Sequence, residues 1–197
     1  MVFPVPGLNL EIEVKMKIGS IEVMEKRLIT NGAKYCCNLV HEDHYFDTPP
    51  VMDSFRKTDE ALRVRISRNE TDGTEQTHLT FKGKKIDATT KSREEINLQV
   101  SDGTKIREIL KKLSFQEVIV IRKERVVYSK GDISITLDEV QFLDDAYMEL
   151  EIIADEDMVE STRERLFSFM KALGFHRDDS ERRSYLELVL ERLAERH

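Results

Sequence analysis

The chain has 197 residues, of which 31 are basic and 38 acidic, giving a formal net charge of -7. With 40% hydrophobic and 35% charged residues it can bury one substantial core, which excludes a disordered chain, and no apolar run approaches the roughly 20 residues of a membrane helix. An acidic chain has no global field attracting nucleic acid or anionic lipid, so any anion site must be a local concentration of positive charge.

The uncharged start, Met1 to Leu10, holds Pro4 and Pro6, lacks a basic flank and is too short for a signal peptide. No Pro/Gly/Ser-rich linker or repeat follows, so residues 1–197 read as one domain, with 1–8 as an N-terminal extension that frays. Leu10 to Ile18 alternates strictly: Ile12, Val14, Met16 and Ile18 share one face of a strand, Glu11, Glu13, Lys15 and Lys17 the other. Ser20 can cap a helix carrying Ile21, Met24, Leu28 and Ile29 that ends at Asn31-Gly32. Cys36 and Cys37 are adjacent, a spacing that rarely closes a disulfide, and the chain reads as a reduced, cytoplasmic protein.

Further alternation follows in Leu62, Val64 and Ile66 with Arg63 and Arg65, and in Leu79 and Phe81 with Thr80 and Lys82. Asp102 or Thr104 can cap a second helix. Ile133, Ile135 and Leu137 precede Asp138, and Met148, Leu150 and Ile152 alternate with Glu149 and Glu151. Helices are expected from about Asp157 to Leu173, stopped by Gly174, and from about Glu181 to Ala194. Strand pairs separated by helices give an α+β fold dominated by antiparallel sheet.

The charges are not mixed at random. Glu pairs sit on the first and last strong strands (Glu11/Glu13 and Glu149/Glu151), and basic pairs sit between them (Arg63/Arg65, Lys91/Arg93, Lys123/Arg125), every pair at spacing i, i+2 and so on one face. The bland reading is a sheet with one wet face. The alternative is a barrel that encloses its polar face while helices cover the apolar outside. Clustered buried cations call for a multiply charged anion, and carboxylates among them suit a hard divalent cation.

Glu11-Ile-Glu13-Val-Lys15 resembles the opening signature of the CYTH superfamily, the triphosphate tunnel metalloenzymes. Further segments match in order: Asp43 to Pro49, Thr58 to Arg65, Leu79 to Lys84, Lys91 to Ile96, Lys123 to Arg125, Leu137 to Val140, Met148 to Glu151, and Arg183 to Leu186. The Thr58 to Arg65 segment is most similar to the branch named for class IV adenylyl cyclase. One departure is Phe142-Leu143-Asp144-Asp145, where the family often has a Gly-Leu-Gly turn.

The resemblance implies a closed eight-stranded antiparallel tunnel with helices outside. It implies triphosphate binding by Lys15, Arg63, Arg65, Lys82, Arg93, Lys123 and Arg125, and Mg²⁺ or Mn²⁺ held by Glu11, Glu13, Glu149 and Glu151. Glu95 and Asp138 become further acidic lining, and Lys15 and Glu13 the catalytic candidates. The expected activity is class IV adenylyl cyclase-like conversion of ATP to cAMP and pyrophosphate. The alternatives are hydrolysis of tripolyphosphate, thiamine triphosphate or a nucleoside triphosphate, and a non-catalytic polyphosphate or nucleotide binder. The expected partner is the small triphosphate itself, with neither nucleic acid nor membrane; helix faces that can pair leave room for a homodimer. Tyr185 reads as a helix core residue with a buried hydroxyl partner.

Overall fold

The protein is described as a computed structural model covering residues 10–85 and 93–196. The extension at 1–8 and Lys91 lie outside the described residues. Eight strands form: β1 (Leu10–Ile18), β2 (Lys34–Asp47), β3 (Ala61–Asn69), β4 (Glu75–Lys85), β5 (Arg93–Val100), β6 (Gln116–Lys130), β7 (Ile133–Val140) and β8 (Ala146–Ala154). The helices are α1 (Ile21–Thr30), the four-residue α2 (Phe55–Thr58), α3 (Gly103–Lys112), α4 (Val159–Ala172) and α5 (Tyr185–Ala194). Among the described residues no helix is long and apolar enough to cross a membrane.

The helix ends follow local chemistry. Ser20 accepts a hydrogen bond from the Val23 backbone N–H, and Asp102 accepts from Thr104 and Lys105, each satisfying orphan donors of a first turn. Helix α5 starts at Tyr185, later than the expected Glu181. Ser184 and Glu187 form a reciprocal capping box there, while the Glu181 backbone N–H donates to the Lys15 carbonyl at 2.7 Å and ties the preceding segment to β1. In the departed turn Phe142 has a φ of 75°, the left-handed region where glycine rests without strain.

All strand pairs are antiparallel, in the order β5-β4-β3-β2-β6-β7-β8-β1. The expected closed barrel does not form: the sheet is an open, strongly curled half-barrel whose edges lie 6 Å apart. Among the described residues β1 and β5 share one paired position, Glu11 opposite Arg93, whereas β1 and β8 pair along all of Leu10–Ile18. The reason is an offset. Between the described strands, Glu11 and Arg93 stand near the beginning of β1 and β5, and antiparallel strands that meet at their beginnings run apart from that point.

The alternation decides which face is wet. The apolar sides of β1, β7 and β8 (Ile12, Val14, Met16, Ile135, Leu137, Met148, Leu150) point outward and are covered by Leu28 of α1 and by Leu166, Phe169 and Met170 of α4. Leu188 and Val189 of α5 pack on Ile121, Val140 and Tyr147, and Leu110 of α3 packs on Phe46, Leu62 and Val64. Burial of these faces supplies the main drive for the curl, at about 25 cal/mol for each Å² removed from water. The charged faces are left looking into the bore.

Candidate functional site

The curled sheet encloses a cavity of about 930 Å³ lined by Glu11, Glu13, Lys15, Arg63, Arg65, Lys82, Glu95, Lys123, Arg125, Glu149 and Glu151. The residues expected at the site therefore come together from β1, β3, β4, β5, β6 and β8. Arg93 stands on β5 beside the seam, but its side chain is outside the described structure. Asp138, fully buried on β7, is the anchor of the β6 side.

The cations are not bare. Arg125 donates to both oxygens of Asp138, at 2.6 and 2.5 Å, and to Glu149 at 2.6 Å. Arg65 forks onto Asp43 at 2.6 and 2.7 Å. The Lys82 ammonium lies 2.5 Å from Glu95 and 3.5 Å from Glu11. The Lys15 ammonium, 1% exposed, donates to the Arg183 carbonyl at 3.0 Å, lies 3.4 Å from Glu149, and sits 3.7 Å above the Tyr185 ring. Arg63 is held more loosely. Its near carboxylate, Asp43, is 3.8 Å away, and its buried Nε has no hydrogen-bond partner.

Two further side chains belong to the site. Asp43 is the counter-ion of the Arg63/Arg65 pair: burial opposes its ionisation, but the charges of Arg65 and Arg63 hold its carboxyl far below the usual range. Its motif was visible, and its inward direction follows from the i, i+2 relation to His41 and Tyr45. Tyr185 has the buried hydroxyl partner expected of it, donating to Asp138 at 2.7 Å, but its ring also lines the cavity.

The electrostatics split the site into two zones. Burial, reinforced by the charge of Arg125, pushes Lys123 down to about 7. On the opposite wall Glu13 faces Glu151 across the β1–β8 ladder. Burial and then the Glu13 charge push the Glu151 carboxyl up. Burial also pushes Glu11 well up despite the opposing charge of Lys82, while its neighbour Glu95 is held down at about 2 by a hydrogen bond from Glu11 and by Lys82, against its own burial.

The sequence matches the CYTH domain over residues 9–185. The chain belongs to the CYTH family. It is 39% identical to the candidate adenylate cyclase MJ0240 of Methanocaldococcus jannaschii over 180 residues, covering 91% of this chain and 98% of that one. It is 25% identical to the adenylate cyclase CyaB of Aeromonas hydrophila over 182 residues, covering 91% and 88%. The PH1819 protein of Pyrococcus horikoshii OT3 superposes with a TM-score of 0.82 at 36% identity, covering 92% of this chain and 98% of that one.

In this CYTH domain, among the described residues, no three His, Cys, Asp or Glu side chains converge into a ready-made metal shell. The donor set still suits a hard divalent cation. Glu11, Glu13 and Glu151 are oxygen donors, and burial, reinforced by neighbouring carboxylates, raises the pKa values of Glu11 and Glu151, as expected of acids gathered where a cation would ease their ionisation. Glu149 differs, since Arg125 and Lys15 already engage it.

Proposed function

We propose that this CYTH domain is a metal-dependent enzyme acting on a triphosphate, of the class IV adenylyl cyclase type. The observation that carries the reading is the convergence of Arg63, Arg65, Lys123 and Arg125 on one cavity whose facing wall bears Glu11, Glu13 and Glu151. A cationic wall opposite a carboxylate wall suits a phosphate chain and its accompanying divalent ion. The names of the Methanocaldococcus and Aeromonas relatives favour the cyclase among triphosphate reactions.

In this reading the ribose 3′ oxygen forms a bond to the α-phosphorus, the bond from that phosphorus to the pyrophosphate oxygen breaks, and pyrophosphate leaves. Arg63, with its unpartnered Nε, and Lys123 take phosphate oxygens first. Arg65 and Arg125 exchange part of their carboxylate pairing for the ligand. Glu13 takes the 3′ proton, and Lys15, pinned by the Arg183 carbonyl, holds the reacting phosphate. Mg²⁺ or Mn²⁺ on Glu11, Glu13, Glu151 and, once released from Arg125, Glu149 would supply Lewis-acid polarisation of the phosphoryl group. Positioning and charge neutralisation then provide most of the rate.

One product assay tests this. The purified protein is given ATP, tripolyphosphate or thiamine triphosphate with Mg²⁺ or Mn²⁺, and cAMP, pyrophosphate and phosphate are resolved. The expected result is cAMP with equimolar pyrophosphate from ATP. Phosphate release without cAMP overturns the cyclase in favour of a hydrolase, and saturable binding with no product overturns the enzyme.

A further inference from the structure

The wall formed by β2, β3 and β4 changes character along the cavity. Beyond Arg63 and Arg65, toward the β3–β4 turn, Ser67 stands opposite Gln76 on one side and opposite His41 on the other, and His78 stands opposite Arg65. All four of these polar side chains line the cavity. His41 is 4% exposed, and its Nδ1 is buried with no hydrogen-bond partner. Burial, followed by the charges of Arg65, Lys123 and Arg125, pushes its pKa far down, so the imidazole is neutral.

A neutral imidazole adds nothing to the neutralisation of phosphate, which the neighbouring arginines already supply. It offers one donor and one acceptor. A buried N–H without an acceptor is costlier than a bare lone pair, so the proton belongs on Nε2, and that nitrogen is left to bond a ligand. Gln76 adds an amide with both a donor and an acceptor, and Ser67 adds a hydroxyl. This mixture recognises the edge of an uncharged heterocycle by hydrogen bonding. A cationic substituent such as a thiazolium would instead meet Arg65, Lys123 and Arg125.

We propose that His41, Ser67, Gln76 and His78 form the subsite that reads the group attached to the phosphate chain, and that this group is an uncharged nucleobase. The inference rests on the triphosphate reading of the cavity and deepens it by naming how a nucleotide is told from a bare polyphosphate. Binding inverts the usual weakness of the phosphate cradle, which holds phosphates without regard to what they carry.

The test compares affinities for ATP and for inorganic tripolyphosphate by calorimetric titration without added divalent ion. The proteins are wild type, Gln76→Ala, His41→Ala and His41→Asn. The ratio of the two affinities is expected to shift about tenfold against ATP in Gln76→Ala and His41→Ala, the worth of one hydrogen bond, and His41→Asn is expected to recover part of it. A merely structural role would weaken both ligands together. Gln76 is exposed, so its variant keeps the test alive if a His41 variant fails to fold. A ratio that moves less than twofold in every folded variant overturns the subsite. Thiamine triphosphate binding as tightly as ATP overturns the nucleobase. If wild type binds neither ATP nor tripolyphosphate, the triphosphate reading itself fails and takes the subsite with it.

Discussion

Arg125 on β6 and Asp138 on β7 face one another across the ladder and join by two parallel hydrogen bonds at 2.6 and 2.5 Å, inside a site where Asp138 is 0% exposed. The same carboxylate takes the Tyr185 hydroxyl and lies 3.7 Å from Lys123. Asp138 therefore works as the fixed counter-charge of the cationic wall, holding Arg125 in place before any ligand arrives.

Removal of that counter-charge leaves Arg125 and Lys123 buried side by side. Asp138→Ala is expected to destabilise the fold by about 3–5 kcal/mol, the usual penalty for a broken buried pair. Tyr185→Phe removes only one hydrogen bond and is expected to cost about 1 kcal/mol. Denaturant unfolding of both variants measures the difference, and equal midpoints would show that Asp138 is not the anchor.

Lys123 links pH to both binding and stability. Its folded pKa of about 7 lies below the ordinary 10.5, so between those values the unfolded chain holds a proton the native site lacks, and stability rises with pH across that window. Triphosphate affinity has the opposite slope, falling as pH climbs through about 7 and the ammonium discharges. Lys123→Met is expected to flatten both slopes, stabilise the ligand-free protein by roughly 1–3 kcal/mol and weaken triphosphate binding. Thermal melts and titrations at pH 6, 7 and 9 read both effects.

The acidic wall titrates in the other sense. Glu11 and Glu151 have raised pKa values, so protons compete with a cation for these oxygens. Divalent-ion affinity is expected to strengthen as pH rises, with protons released on binding. Calorimetry of Mg²⁺ or Mn²⁺ in buffers of different ionisation enthalpy counts those protons, and a count of zero at every pH removes these carboxyls from the ion's path.

The combined Glu149→Gln and Glu151→Gln variant separates catalysis from binding. Turnover is expected to fall by at least about 100-fold, while some triphosphate affinity remains on Arg63, Arg65 and Lys123. Near-normal turnover would refute the role of this strand in the chemistry.

Arg63→Ala is expected to raise KM and lower kcat together, because this guanidinium would contact phosphate in the ground and transition states alike. Wild-type kinetics in this variant would mean that the phosphate chain lies elsewhere in the cavity.

The elements legible in the sequence were those with clean alternation. Strand β1 runs from Leu10 to Ile18 as its period-two pattern requires, and the pairing of Glu13 with Glu151 and Lys15 with Glu149 puts the expected site residues on one face. Strand β2 was harder to orient, because His44 and Phe46 on one face and Asp43 and Tyr45 on the other are all buried. Its register also shifts between Tyr35 and Cys37. That removes the polar/apolar contrast that would have exposed Asp43 as a partner for Arg65. The start of α5 depended on a tie between Glu181 and Lys15, residues distant in sequence. The β1–β5 offset is likewise a property of the assembled sheet, not of either strand's own residues.

The narrow gap between the sheet's edges also guards the molecule against its own kind. A free strand edge ordinarily recruits another chain through its idle N–H and C=O groups. Neighbouring strands pack about 4.8 Å apart, so an intruder between two edges needs roughly twice that width. A gap of 6 Å between the sheet's edges is too narrow for a guest, so each edge shields the other from fibre-like addition.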